Sequence, residues 1–166
     1  TAFVGVMQAM PQTGKGRLFH SSGIAPMGYG LPAAIGAHYA APDRQIICIC
    51  GDGGIMFNLQ ELQTIVANKL PIKIFVINND GYLSVRNTQD EFLEGRRFGT
   101  WRDDISWPRV EAQARAYSIP YLRISHRLNA ESVITAALNI RGPVIVEVMC
   151  PPDQGMRWKQ GFKKEG

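Results

Sequence analysis

The chain predicts an α/β fold, a parallel sheet with helices on both faces, and three observations carry that prediction. Short runs at 45–50, 72–77, 121–124 and 143–149 have the length and the apolar, β-branched character of buried strands. Segments with apolar residues at helical spacing alternate with them, which is the pattern of strand-helix-strand units. At 166 residues and 45% hydrophobic, the chain is long enough to bury one sizeable core.

The elements follow in order. Phe3, Val6, Met7 and Met10 stand at helical spacing, an amphipathic piece with no strand before it. Residues 17–20 read as a short strand ending at His20 and feeding a loop over 21–27, where His20 is read as a capped loop histidine rather than a catalytic one. An Ala-rich helix is predicted over 30–41, with Pro32 in its first turn, where proline is tolerated. After the strand at 45–50, Asn58 is the predicted N-cap of a helix, with Glu61 in capping-box spacing. Leu59, Leu62, Ile65 and Val66 form its apolar stripe, and 68–71 ends it. The strand at 72–77 is followed by a long segment, 80–107, containing a short helix at about 84–94. Then come a helix over 108–117 led by Pro108, the strand 121–124, a helix over 129–140 and the strand 143–149.

Composition narrows the function classes. The net charge of +4 is modest, and Lys and Arg are scattered except in a tail with Arg157, Lys159, Lys163 and Lys164. That tail reads as a solvated or partner-covered end, not a nucleic-acid surface. No apolar run approaches the roughly 18–20 residues that span a membrane. No signal peptide opens the chain, so the expected location is the cytoplasm, or an organelle interior after processing. Cys48, Cys50 and Cys150 lie in or at the end of predicted strands and read as reduced thiols, not a disulfide framework. His20, His38 and His126 are isolated, so no zinc set is completed.

The chemistry concentrates in two clusters, Gly51-Asp52-Gly53-Gly54 and Asn78-Asn79-Asp80-Gly81-Tyr82. Each follows a predicted strand, and one helix separates them. A parallel crossover brings both strand ends to the same sheet edge, where α/β proteins bind ligands. Asp52 and Asn79 should therefore emerge side by side. One carboxylate, one amide oxygen and several glycines suit Mg²⁺, which takes one or two carboxylates and fills its shell with phosphate oxygens and water. Gly53 and Gly54 let the backbone approach an anion, and the amides opening the next helix favour negative charge. A diphosphate bridged to the protein by Mg²⁺ fits the whole arrangement.

A rival pattern is present. Gly28-x-Gly30-x-x-Ala33 fits a dinucleotide fingerprint, with Asp52 placed as a ribose-binding acid, so a Rossmann-type NAD or FAD oxidoreductase is an alternative. It lacks a strand directly before Gly28 and leaves Gly53, Gly54 and Asn79 without a task. A noncatalytic module would be suggested by loss of Asp52 or Asn79, and neither is lost. The 80–107 segment, with Tyr82, Phe92, Phe98, Trp101 and Trp107, reads as an active-site cover. Within it, Arg86 or Arg96 could meet a substrate carboxylate, although a surface ion pair is the favoured role for each.

Both clusters, with the stretch Ser22-Gly23-Ile24-Ala25-Pro26-Met27-Gly28-Tyr29-Gly30-Leu31-Pro32-Ala33-Ala34-Ile35-Gly36, resemble the thiamine diphosphate-dependent enzymes of the acetolactate synthase-like family. The resemblance runs to about Pro152. It implies a thiamine diphosphate-binding domain over 1–152, with 153–166 as a basic tail. It implies that Asp52, Asn79 and the carbonyl of Gly81 ligate Mg²⁺, and that Gly51, Gly53, Gly54 and Tyr82 belong to the cofactor site. Met27 would bend the cofactor into a V, and the Ala25 carbonyl would accept from its aminopyrimidine, at a position where the family usually has Gly. The implied reaction is decarboxylation of a 2-keto acid and transfer of the enamine to a second carbonyl, with simple decarboxylation as the alternative.

No catalytic residue is assigned within the chain. The activating glutamate is expected on a pyrimidine-binding domain of the same or a neighbouring subunit. The chain is accordingly expected to be an N-terminally truncated part of a longer, homo-oligomeric enzyme, or a separate subunit, and inactive alone. FAD is possible in the parent enzyme and is not indicated by these residues.

Overall fold

The runs read as strands pair into one four-stranded sheet, ordered β1-β2-β4-β3 and parallel throughout. The computed structural model describes residues 2–10, 16–101 and 103–154. Its strands are β1 Ile47–Gly51, β2 Lys73–Asn78, β3 Tyr121–Ile124 and β4 Val144–Met149. Its helices are α1 Ala2–Ala9, α2 Gly30–Ala40, α3 Asp52–Ile55, α4 Glu61–Ala67, α5 Leu83–Phe92, α6 Val110–Ala116 and α7 Arg127–Asn139. The basic tail from Arg157 to Lys164 lies outside the described residues.

Strand order dictates which face each helix covers. From β1 to β2 and from β2 to β3 the chain steps across the sheet in one direction, and from β3 to β4 it steps back. Parallel crossovers are right-handed, so a reversed step places its helix on the opposite face. The packing follows this rule. Leu31 and Ala34 of α2, Leu62 and Ile65 of α4, and Val110 and Ala114 of α6 share one core with Ile74 and Val76. Ala137 of α7 packs in a second core with Ile124, Val144 and Val146. Side-chain alternation along β4 supplies both, with Ile145 in the first core and its neighbours in the second.

Two sequence expectations are corrected. Asn58 does not cap a helix. The helical run begins at Asp52 as α3, continues through a 3₁₀ turn at Met56–Asn58, and reaches α4, with Leu59 and Gln60 also in the right-handed helical region. Glycines at 53 and 54 argue locally against helix, yet packing onto the sheet overrides that preference. The Asn58 side chain is engaged elsewhere: its Nδ2 donates to the Gly28 carbonyl at 3.0 Å and its Oδ1 accepts from Gln60. Nor does a strand form at 17–20, because the sheet begins at β1 and no described strand pairs with that segment.

The remaining elements agree with the reading to within a few residues. Helix α7 starts at Arg127 rather than 129, because His126 and Asn129 form a reciprocal capping box. Helix α4 stops at Asn68 and Lys69, where Lys69 turns to φ +52 and the Leu70 amide donates back to Ile65 at 2.9 Å. Lys73 is buried at the start of β2. Its ammonium donates to the carbonyls of Ile140 and Gly142, tying the strand to the loop after α7, and burial lowers its pKa.

Ile74 is fully buried at the centre of the larger core. Ile74→Ala is expected to lower stability by about 2–5 kcal/mol in urea unfolding. A loss below about 0.5 kcal/mol would match a surface position and remove Ile74 from the core.

Candidate functional site

Gly51 pairs with Ile77, so the chain leaves β1 and β2 at the same sheet edge. Asp52 opens α3 directly after β1, and Asn79 starts the turn directly after β2. Both are buried, at 2% and 4% exposure. The Gly81 amide donates to Asp52 Oδ2 at 2.9 Å, closing the gap between the two clusters. Burial pushes the Asp52 carboxyl up to about 6, and the amides of Gly81 and Gly53 offset only part of that effect.

The turn itself is strained. Asp80 sits at φ +55 and Gly81 at φ +131, two successive residues in the region that L side chains avoid. A Cβ on Gly81 would lie 2.3 Å from the Thr100 carbonyl oxygen, so only glycine fits. A Cβ on Gly53 would lie 2.3 Å from Cε1 of the Tyr82 ring. Gly53 is therefore required by packing. Gly51 and Gly54 differ, because a Cβ on either meets nothing within 4 Å. Their bareness is what a ligand approaching the backbone would need.

The long segment after β2 folds back over the site edge. Gly81 bridges Trp101, and the Tyr82 amide donates to Thr100 at 3.0 Å. The Tyr82 ring packs against Trp107 at 5.6 Å, and burial followed by the Asp52 charge raises its phenol. Residues 91–99 stay exposed.

Arg86 departs from both roles considered for it. It is fully buried and meets neither a surface carboxylate nor open space. Its guanidinium donates to four main-chain carbonyls: Asn79 at 3.1 Å, Asp80 at 3.3 Å, Thr100 at 2.7 Å and Pro152 at 2.6 Å. It also stacks 4.8 Å from the Trp101 ring centroid. Its only sequence signal is its place three residues after buried Leu83 on α5. Arg96, by contrast, is the exposed ion-pair residue expected, 3.4 Å from Glu94.

Asp52, Gly53, Asn79, Gly81 and Tyr82 thus come together. Ala25 and Met27 lie on a separate, exposed loop, where Gly28 is anchored to Asn58. Met27 is 49% exposed. Ala25 adopts φ +48, a conformation that explains why glycine is at home in its place. Cys48 and Cys50 both approach Gly30 of α2, and all three cysteines are free thiols. Cys50 is raised by its hydrogen bond with Cys48 and then by burial.

The comparisons bear on this geometry. The sequence family described as thiamine pyrophosphate enzyme, C-terminal TPP binding domain, matches residues 3–148. The chain belongs to this family. It is similar to the acetolactate synthase large subunit of Porphyra purpurea, 42% identical over 127 residues, covering 76% of this chain and 21% of that protein. It is also similar to acetolactate synthase 3, chloroplastic, of Brassica napus, 38% identical over 136 residues, covering 79% of this chain and 21% of that protein. Among solved structures, it resembles the Rhodococcus jostii RHA1 thiamine diphosphate-dependent 4-hydroxybenzoylformate decarboxylase. That likeness has a TM-score of 0.68 and 28% identity over 75% of this chain and 23% of that one.

The chain therefore spans about a fifth of the length of these curated relatives. It is a thiamine diphosphate-binding domain of acetolactate synthase-like enzymes. The dinucleotide alternative falls with this assignment. Gly28 is at φ +87 in a loop that no strand precedes among the described residues, and Gly30 serves close packing of α2 on Cys48 and Cys50. Among the described residues, no helix is long and apolar enough to cross a membrane.

Two measurements check the site's construction. Gly53→Ala should lower stability by about 1–3 kcal/mol, because the ring of Tyr82 must move. Gly54→Ala should be neutral, or stabilising by up to about 1 kcal/mol, because helical glycine is costly and the space is open. Equal thermal shifts for the two would contradict the packing given above.

The second concerns pH. Asp52 has a folded pKa of about 6, above its value in an unfolded chain, so folding takes up a proton as pH falls below 6. Its contribution is full below about pH 4 and is lost as pH rises through about 6, a change of up to about 3 kcal/mol. In metal-free buffer at about pH 7, Asp52→Asn should raise stability by about 1–3 kcal/mol, with the gain vanishing near pH 4. A variant no more stable than wild type at neutral pH would refute this.

Proposed function

We propose that this chain holds the diphosphate and Mg²⁺ of thiamine diphosphate for a 2-keto acid carboligase resembling acetolactate synthase. The observation that carries the reading is the meeting of Asp52 and the Asn79–Gly81 turn at the carboxyl ends of β1 and β2. The donors suit a hard dication: one carboxylate, one carboxamide and a backbone carbonyl. Among the described residues, no group of three His, Cys, Asp or Glu offers a competing metal cluster. The open space beside Gly51 and Gly54 supports the approach of a phosphate to bare backbone.

In this reading Asp52, the Asn79 side chain and the Gly81 carbonyl ligate Mg²⁺. Amides of Gly53 and Gly54 face the diphosphate, with Gly51 and Tyr82 completing its surroundings. Met27 supports the cofactor's bend, and the Ala25 carbonyl orients its aminopyrimidine. Bound thiamine diphosphate supplies the electron sink through which a 2-keto acid loses carbon dioxide and its keto carbon joins a second carbonyl. Tyr82 and Trp107, packed together at the site's edge, help exclude water.

The activating glutamate comes from a pyrimidine-binding domain of the same or a neighbouring subunit in a homo-oligomer. Exposed Ile24 (87%), Met27 (49%) and Phe57 (53%) on the loop and turn beside the site support a covering partner. A simple 2-keto acid decarboxylase is the second reading, favoured by the likeness to the 4-hydroxybenzoylformate enzyme.

Calorimetric titration tests the proposal. Thiamine diphosphate should bind only with Mg²⁺, and Asp52→Ala or Asn79→Ala should weaken binding at least about 100-fold, on the order of 2.7 kcal/mol. Equal binding by wild type and Asp52→Ala, or binding without Mg²⁺, would overturn it. The isolated chain should release no carbon dioxide from pyruvate, and turnover by it alone would place the activating group within these residues.

A further inference from the structure

A second buried carboxylate lies away from the cofactor cluster. Glu147 of β4 is 6% exposed; it accepts two hydrogen bonds and faces one cation, all from its two neighbouring strands. Asn78 Nδ2 of β2 donates to Oε1 at 2.7 Å, and the Tyr121 hydroxyl of β3 donates to Oε2. Arg123 Nε of β3 lies 3.7 Å from the same oxygen. Nothing in the cofactor reading employs any of these groups.

The other end of Asn78 reaches the site. Its Oδ1 accepts from the Asp80 amide at 3.1 Å. Asp80 is the residue held at φ +55, next to Gly81 at φ +131. A carboxamide has one donor end and one acceptor end, and an ionised carboxylate only accepts. Glu147 therefore dictates which way Asn78 faces, and that orientation leaves Oδ1 on the Asp80 amide. A buried acceptor with several donors also stays put, since leaving any of them unpaired is costly.

We propose that Glu147 is a positioning residue which, by orienting Asn78, holds the left-handed Asp80–Gly81 turn that presents Asn79 and Gly81 to the cofactor's metal. The part concerning the metal rests on the function proposed above; the part concerning the turn does not. Tyr121 and Arg123 act one step further out, by holding the carboxylate against Asn78. Glu147→Leu is close in size but removes both acceptors. Asn78 Nδ2 then has no acceptor to hold it, so the carboxamide is free to rotate and release the Asp80 amide.

Residue-resolved amide hydrogen exchange on the 166-residue chain without ligand, at fixed pH, tests the turn directly. In Glu147→Leu the Asp80 amide should exchange at least about tenfold faster, on the order of 1.4 kcal/mol, while Ile74 and Val76 keep their wild-type rates. Tyr121→Phe, which leaves the carboxylate in place, should give a smaller rise confined to Asp80 and Gly81. An unchanged Asp80 rate in whichever variants fold would overturn the proposal. So would a rise at Asp80 matched at Ile74 and Val76, since that reports general loss of stability.

A titration separates the two parts. Glu147→Leu should raise the Mg²⁺ concentration needed for half-maximal thiamine diphosphate binding at least about tenfold. Faster Asp80 exchange with unchanged Mg²⁺ dependence would overturn the link to the metal. Wild-type chain that ignores Mg²⁺ and thiamine diphosphate would count against the proposed function instead, and the exchange rates would still decide the role of Glu147.

Discussion

The hydrogen bond from the Gly81 amide to the Asp52 carboxylate is the interaction on which the site depends. It joins two segments that are distant in sequence and meet only because β1 and β2 are neighbours in a parallel sheet. Its geometry requires Gly81 to adopt φ +131 beneath the Thr100 carbonyl, where no side chain fits. Asp80 must follow into the left-handed region, at a cost on the order of 1–2 kcal/mol. The surrounding structure exists largely to hold this turn.

It is held from two directions. On one side, buried Arg86 donates to the Asn79 and Asp80 carbonyls and ties them to Thr100 and Pro152. From the sheet side, Asn78 bonds the Asp80 amide and is itself anchored to Glu147. Arg86 also answers the nature of the 80–107 segment. The segment is fixed at its root by a buried guanidinium, while 91–99 form a continuous exposed run.

The site is built against the chain's own stability. Asp52 is buried with its carboxyl raised to about 6, so at neutral pH its charge is held at a cost. Gly54 has room for a methyl group and carries none. Both choices weaken the domain by itself, and both suit the cation and anion of the proposed function. Gly53 serves packing instead, because the Tyr82 ring occupies the space above it. Adjacent glycines in one motif thus have different physical reasons.

The local sequence was enough to determine the four strands of the sheet (though it also suggested one at 17–20 that does not form), the alternation that makes the sheet parallel, and the emergence of Asp52 and Asn79 at one sheet edge. Each follows from short-range pattern: apolar runs, helical spacing, and the rule that a crossover returns to the same edge. It was not enough for residues whose role lies in what they touch. Asn58 reads as an N-cap and instead bonds Gly28; Arg86 reads as a surface cation and instead binds four carbonyls in the interior. Glu147 and Tyr121 reveal nothing by spacing, because β4 comes to lie between β2 and β3 only in the order the sheet adopts. Pattern along the chain determines which elements form and where strands end. Long-range packing alone decides which polar groups become buried together, since a buried group's partner is chosen by proximity in space, with no periodicity to announce it.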